Sequence, residues 1–514
     1  MNASRREFLK GAAASGALMS GLALSRRKPA HPRVEIPREG IASDPLRPQY
    51  HLLPARNWMN DPNGPIYWKG SYHMFFQYNP NAAVWGDMHW AHAISPDMIH
   101  WKHLPLALAP TPGSYDSEGC FSGSAVDDGG VATFLYTGVK SVPAAQATLR
   151  DAKHNFMEVQ CLATSRDDVL QKWDKLPAPV LLPPNDPNLT GFRDPCLWQM
   201  GKTWYMGIGS GARGKGGRVL LYRSEDLRHW QYVRPLATGK WNGKQTNDPV
   251  DAGEMWECPD FFPLGKKHVL LYSTERKVYW QSGELDPETL IFNTEKRGLL
   301  DHGAFYAPKT QLDAKGRRIL WGWIPETRTE AEYSAAGWAG CMSLPRALTL
   351  AGDGTLQIAV IPEMARLRDL EMAVTASGTG NKARVEALQK IGLPTATAEI
   401  AMEFQAKPVH FRILDGTQEI LRVAFDPAKA GGELRLGDRV APVLPASAGQ
   451  HRLRMFLDGS VFECFLDGGL ALTSRVYLAP KTPLRIEMSK TELAAVESLC
   501  VWPLRAISPD RLTT

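Results

Sequence analysis

The sequence predicts an all-β protein, a five-bladed β-propeller followed by a C-terminal β-sandwich. Two observations carry the propeller. Residues from about 50 to 350 show strand and turn signals with almost no amphipathic helical run. Within them two phrases recur. One is Ser-x-Asp followed by Trp: Ser95 to Trp101, Ser165 to Trp173 and Ser224 to Trp230. The other is a short opening segment before each hairpin, near Asp61, Ser122, Asp194, Glu257 and Tyr306. Five openings at a period of roughly 50 to 70 residues imply five radially stacked four-stranded sheets, in which the first strand of each lines a central channel.

Three of the openings carry acids. Asp61 lies in Trp58-Met59-Asn60-Asp61-Pro62-Asn63-Gly64, ahead of a hairpin turning at Lys69-Gly70; Asp194 lies in Gly191-Phe192-Arg193-Asp194-Pro195; Glu257 lies in Trp256-Glu257-Cys258-Pro259-Asp260. An Asp beside Asn, Pro and Gly commonly only bonds its own backbone in a turn. Three acids at corresponding places in a repeated unit instead converge on one axis.

The remaining chain sorts around this unit. Its 514 residues suffice for two domains, and a hydrophobic content of 44% with 22% charge is that of an ordinary globular protein. Ser4-Arg5-Arg6-Glu7-Phe8-Leu9-Lys10 and the weakly apolar run after it read as a twin-arginine (Tat) export signal, too short for a membrane anchor. Without residues 1–30 the formal charge of +5 falls to about zero, so no nucleic-acid partner is implied. Residues 31–48 read as a Pro-containing linker, 49–350 as the propeller, 351–374 as a linker with a short helix placing Leu367 and Leu370 on one face, and 375–508 as the sandwich. Alternating strands separated by Asp415-Gly416, Asp458-Gly459 and Asp467-Gly468 mark that last domain. On one of its strands Glu463 is either solvated or turned toward the propeller site.

Cys120, Cys161, Cys196, Cys258, Cys341, Cys464 and Cys500 include no C-x-x-C pair and read as small buried residues. His89 and His92 flank Trp90 with no third ligand at useful spacing, so no metal and no cofactor are expected. Trp58, Trp85, Trp256 and Trp338 are candidate apolar walls for a site. Asp260 is the rival acid to Glu257, with capping of the turn before Phe261 as its structural role.

These motifs resemble glycoside hydrolase family 32, the β-fructofuranosidases. The resemblance rests on WMNDPNG at 58–64, FRDP at 192–195 and WECPD at 256–260, together with runs from Tyr72, Gly303, Arg317, Gly337 and His451. It implies Asp61 as nucleophile, Glu257 as general acid/base and Asp194 as transition-state stabiliser, with Asn60, Gln77, Trp85, Ser122 and Arg193 binding fructose. The implied partner is sucrose or a fructo-oligosaccharide or fructan; the twin-arginine signal, for its part, implies a periplasmic or secreted location. Phe121 and Ala304 depart from the family pattern at the rim, which bears on the leaving group. Retaining hydrolysis needs one ionised and one protonated carboxyl about 5 to 5.5 Å apart. Negative charge on Asp61 and Asp194 favours a proton on Glu257, while Arg193 keeps a nearby carboxylate ionised. A fructosyltransferase, an inverting furanosidase and a non-catalytic fructan-binding protein are the alternatives.

Overall fold

The computed structural model describes residues 36–150, 154–375, 381–427, 432–443 and 449–512; the export signal read at residues 1–30 lies outside them. The chain folds into a five-bladed β-propeller followed by a β-sandwich. The innermost strands of the blades are Asn57–Trp68, Gly119–Asp127, Leu189–Met200, Glu257–Leu264 and Tyr306–Leu312. Each packs against those of its two neighbours around a closed ring. Trp338–Ala339 joins the first blade in parallel, pairing with Asn57 and Trp58, and so ties the fifth blade's excursion back to the first. Inner strands are buried along most of their length, because both faces are covered by flanking blades.

The Ser-x-Asp…Trp phrase is the turn between third and fourth strands. Asp97 accepts the N–H groups of Ile99 and His100, and Asp226 those of Arg228 and His229, at 2.8 to 3.0 Å. The Trp indole then donates back to a carbonyl three residues earlier, at Met98, Leu170 and Leu227. Those three residues are held at φ of 65°, 56° and 60°, a left-handed conformation that the side-chain and indole bonds over-determine. Blade four builds the same turn without the Ser or Trp: Asp286 accepts from Glu288 and Thr289, and Leu290 has φ 55°. Loss of those two residues hid this copy in the sequence.

One boundary and one exposed residue differ from expectation. Leu356–Val360 pairs with Arg346–Leu350 as the outermost strand of blade five, inside the stretch read as linker 351–374. The connector that follows is a 3-10 helix, Pro362–Leu367, which buries Met364 and Leu367. Leu370 is 83% exposed rather than sharing their face, because the helix has already ended and the chain is turning toward the sandwich. The sandwich is two six-stranded sheets, one centred on Thr397–Gln405 and Gln450–Asp458, the other on Val409–Asp415 and Gln418–Asp426. Its core is a separate apolar cluster that includes Phe404, Phe425, Leu453 and Met455. The short helices Glu330–Ala336 and Asn381–Gln389 were not expected.

A buried ionic network joins the domains. His51 Nδ1 lies 2.7 Å from Asp458 Oδ2, and its Nε2 lies 2.9 Å from Glu463 Oε1. Arg346 pairs with the other Glu463 oxygen and, through Nη1, with Asp301 Oδ2 at 2.9 Å. Glu463 is therefore neither solvated nor in the propeller site; it is fully buried where three cationic or N–H donors meet it, the third being the Leu344 amide. At Gly303 the two backbones nearly touch, and a Cβ there would come 1.8 Å from the Thr473 carbonyl oxygen.

Burial pushes the His51 imidazole toward neutrality, but its bonds to Asp458 and Glu463 outweigh that and lift its pKa from 6.5 to about 9. A cation favoured in the fold contributes stability fully below the unfolded pKa, and that contribution is lost as pH rises through the folded one. Urea unfolding should therefore show stability declining between about pH 6.5 and 9. In His51→Gln this decline should vanish.

Candidate active site

Every innermost strand carries a β-bulge near its start. Two residues oppose one: 60–61 face Gln77, 121–122 face Thr137, 194–195 face Ile208, 258–259 face Tyr272 and 307–308 face Gly322. Bulges bend a strand and re-aim its side chains. Here they turn Asp61, Ser122, Asp194 and Cys258 toward one another, with Asp194 and Cys258 at φ 63° and 47°. Gly64 follows in the first motif at φ 42°, where a Cβ would come 2.9 Å from Ala125 of the next blade.

The structure brings together the three acids predicted from sequence. Asp61 is fully buried; its Oδ2 accepts from Ser122 Oγ at 2.7 Å and its Oδ1 from Asn60 Nδ2 at 3.0 Å. Cys258 Sγ stands 3.4 Å from Asp61 Oδ2 and 3.4 Å from Asp194 Oδ2, bridging the two carboxylates. The Cys258 amide also donates to Asp194 Oδ2 at 2.9 Å. Glu257 Oε1 accepts from Arg193 Nη2 at 2.9 Å, and its Oε2 accepts from the Tyr306 hydroxyl at 2.8 Å.

Glu257 is not at the place corresponding to the other two acids. Aligned on the prolines that follow, Asp61 and Asp194 match Cys258, and Glu257 stands one residue earlier, level with Asn60, Arg193 and Tyr306. The bulge makes this offset useful: neighbouring residues of one strand face the same centre, one as a bridge between carboxylates and one as an acid to the side.

Burial raises the Asp194 carboxyl to about 6; Arg193 opposes this while Glu257 and Asp61 add to it. At neutral pH it is ionised. Burial beside three carboxylates drives the Cys258 thiol well above its ordinary range, so it stays a protonated donor. The sequence placed Arg193 as a charge serving a nearby carboxylate. Its partner is Glu257 itself, the group read as proton donor, and it also pairs with Glu158 Oε1 through Nη1 at 2.8 Å. Glu158, fully buried, further accepts from the Phe192 amide at 2.8 Å and from Thr148. It divides the guanidinium between two carboxylates, so the full cation is not spent on Glu257.

These groups meet at a cavity of about 360 Å³, within the range of small-molecule sites. Trp85, Phe121, Ser122, Arg193, Asp194 and Glu257 line it. Asp61 lies directly behind Ser122. Asn60 and Gln77 are buried and hold backbone and neighbours: Asn60 Oδ1 accepts from the Trp58 indole at 2.8 Å, and Gln77 Nε2 donates to the Cys120 carbonyl at 2.8 Å.

Of the four tryptophans read as apolar walls, only Trp85 lines the cavity. Trp58 packs edge-on to Trp323, Trp256 stacks on Tyr272 at 3.7 Å, and Trp338 lies under Arg328 at 4.4 Å. Their flanking blades close over them. Asp260 does not cap the turn before Phe261; it accepts the Thr310 amide of the next blade at 2.8 Å. The seven cysteines are free, six buried and Cys500 half-buried. His92 pairs with His73 at 2.9 Å rather than with His89. Among the described residues no group of three His, Cys, Asp or Glu side chains is placed to hold a metal ion.

Sequence reasoning missed Glu158, Tyr306 and Cys258 as members of this site. Tyr306 was legible as a fifth opening segment. Cys258 adjoins Glu257 but reads as core by residue type.

Carboxylates brought by separate blades to one cavity are the arrangement that glycoside hydrolysis requires. Sequence models of the glycosyl hydrolases family 32 N-terminal domain and the family 32 C terminal match residues 51–360 and 363–503. The chain is 35% identical over 480 residues to a sucrose-6-phosphate hydrolase of Escherichia coli, aligning 89% of this chain and 94% of that protein. It is 36% identical over 464 residues to a raffinose invertase of Escherichia coli, aligning 84% and 89%. A solved family 32 β-fructofuranosidase of Bombyx mori superposes with a TM-score of 0.74 at 31% identity, covering 92% of this chain and 97% of that one. The chain belongs to glycoside hydrolase family 32 and is a fructosyl-releasing glycoside hydrolase.

Proposed function

We propose that this enzyme removes terminal β-D-fructofuranosyl units from sucrose and fructans with retention of configuration. The observation that carries the reading is the meeting of Asp61, Asp194 and Glu257, from three blades, around the Cys258 thiol and Arg193. In the first step an Asp61 oxygen attacks C2 of the fructosyl unit as the C2–O bond to the leaving group breaks. Glu257 gives its proton to the departing oxygen. In the second, Glu257 takes a proton from water, the water oxygen bonds to C2, and the ester to Asp61 breaks. Asp194 supplies a fixed negative charge beside the cationic transition state and accepts from fructose hydroxyls. Ser122 and Asn60 orient the attacking carboxylate, and Tyr306 with Arg193 holds Glu257.

The substrate class is argued from the lining. Six Arg and Lys and seven Asp and Glu residues line the cavity. That balance suits a neutral sugar better than a phosphorylated one, although relatives include a sucrose-6-phosphate hydrolase. Hydrolysis of sucrose, sucrose 6-phosphate, inulin and levan should show kcat/KM for sucrose above that for its phosphate. Fructose should be the first and dominant product from inulin or levan; early release of an oligosaccharide ladder would sink exo attack. At high sucrose, fructose in excess of transfer products separates a hydrolase from a fructosyltransferase.

The enzyme is further proposed to reach the periplasm or exterior already folded, on the strength of Arg5 and Arg6 in SRREFLK. Replacing both by Lys should leave activity in the cytoplasm, and unchanged export of that variant would refute the route.

A further inference from the structure

One buried charge at the site takes no step in hydrolysis: Glu158. It comes from the third strand of blade two, Asn155–Ser165, where it pairs with Val139, and it does not line the cavity. A carboxylate taken out of water is costly unless its bonds are made within the protein. Here they are made. Oε1 accepts from Arg193 Nη1 at 2.8 Å, and Oε2 accepts from the Phe192 amide and the Thr148 hydroxyl, each at 2.8 Å. The Thr148 oxygen in turn accepts the Glu158 amide at 3.0 Å, which leaves its hydroxyl as the donor. Both carboxyl oxygens therefore act as acceptors, the arrangement of an ionised group.

The guanidinium it holds is shared. Nη1 serves Glu158, while Nη2 and Nε serve Glu257 Oε1 at 2.9 and 3.3 Å. Burial disfavours the Arg193 cation, and Glu158, then Glu257, then Asp194 more than restore it, so Glu158 is its leading counter-ion. The consequence falls on Glu257. A carboxyl beside an unshared guanidinium gives up its proton easily, whereas the Arg193–Glu158 pair is neutral as a unit. The other charges facing Glu257 are Asp194, from the same strand as Arg193, and Asp61 from blade one. Tyr306 from blade five donates to it, and the Cys258 thiol beside it stays protonated. The net charge around Glu257 is then negative, which favours the proton that a general acid needs.

We infer that Glu158 is a positioning residue for the proton donor: by gripping Arg193 through Nη1 and neutralising it, Glu158 keeps Glu257 protonated up to the pH at which the enzyme works. Its kinetic consequence rests on the proposed role of Glu257 as general acid. The residue acts through Arg193 and touches no substrate.

The test compares the parent enzyme with Glu158→Gln, which removes the charge at nearly unchanged volume, and Glu158→Asp, which keeps the charge but draws it back from Arg193. Protonation of Glu257 is read directly, as the titration midpoint of the carbon-13 carboxyl resonance that Glu257→Gln removes. It is read kinetically as the alkaline limb of kcat/KM on sucrose. Glu158→Gln should lower both by about one pH unit, and Glu158→Asp by about half as much. Relative to the variant's own maximum, Glu158→Gln should then lose about tenfold on the alkaline side and recover as the pH is lowered, which a loss of folded protein would not do. A resonance midpoint left in place, or a uniform loss at every pH, overturns the inference; if Glu158→Gln does not fold, Glu158→Asp decides by the same measure. A midpoint that moves while the kinetic limb stays would uphold the role of Glu158 and overturn Glu257 as the acid.

Discussion

Asp61→Asn and Glu257→Gln should each lower kcat on sucrose by on the order of 10³-fold or more, while the unfolding transition keeps its cooperativity. Asn has no anionic oxygen to attack with, and Gln has no proton to give. Yet Asn can still accept from Ser122 through its one oxygen, and Gln can still accept from Arg193 through its oxygen while its amide N–H donates to the Tyr306 hydroxyl. The two losses should therefore be chemical rather than structural. Asp194→Asn should also lose most turnover, since it removes a negative charge that Cys258 and Arg193 hold in place. Steady-state kinetics on sucrose beside urea unfolding would check this; a variant that loses activity only in proportion to folded protein would contradict it.

The second large effect concerns the domain interface. Glu463→Ala should cost about 3 to 5 kcal/mol of stability, because it strips a buried acceptor from three donors at once, on His51, Arg346 and the Leu344 amide. Arg346 and His51 are both fully buried and share that carboxylate; each keeps one other carboxylate, Asp301 and Asp458 respectively, so what is lost is hydrogen bonding rather than charge balance. The Leu344 amide would also lose its acceptor. Glu463→Gln preserves the shape and should cost less. Guanidinium unfolding at pH 7 reads both; a change below about 1 kcal/mol for Glu463→Ala would show that water or a shift of Arg346 had satisfied the donors.

How far the chain could be read before its structure depended on distance along it. The propeller was legible because its repeat is local: each Ser-x-Asp…Trp turn is closed within seven to nine residues by its own side chains. Blade four's copy escaped because Asp286 and Leu290 preserve the backbone of the turn without the marker residues. Asp61, Asp194 and Glu257 announced themselves as acids ahead of a hairpin; the one-residue offset of Glu257 is written in the prolines that follow, and the bulges in the strand pairing show what it does. Glu158 gave no signal, since it comes from the third strand of blade two and meets Arg193 across a blade boundary. His51 and Glu463 stand 412 residues apart, and nothing local to either predicts their bond. Long-range ion pairs are invisible to pattern and turn chemistry alike, which is why the interface network, unlike the blades, was not foreseen.

Mass spectrometry of acid-quenched Glu257→Gln after mixing with β-fructosyl fluoride tests the central claim most directly. Fluoride leaves without help from an acid, so attack by Asp61 should proceed, and without a general base the ester should persist. The account predicts a mass increase of one fructosyl unit located on Asp61, absent from Asp61→Asn, with β-fructose as the first-formed anomer from the unmodified enzyme by NMR. A label on any other residue, or a first product of inverted configuration, would contradict it.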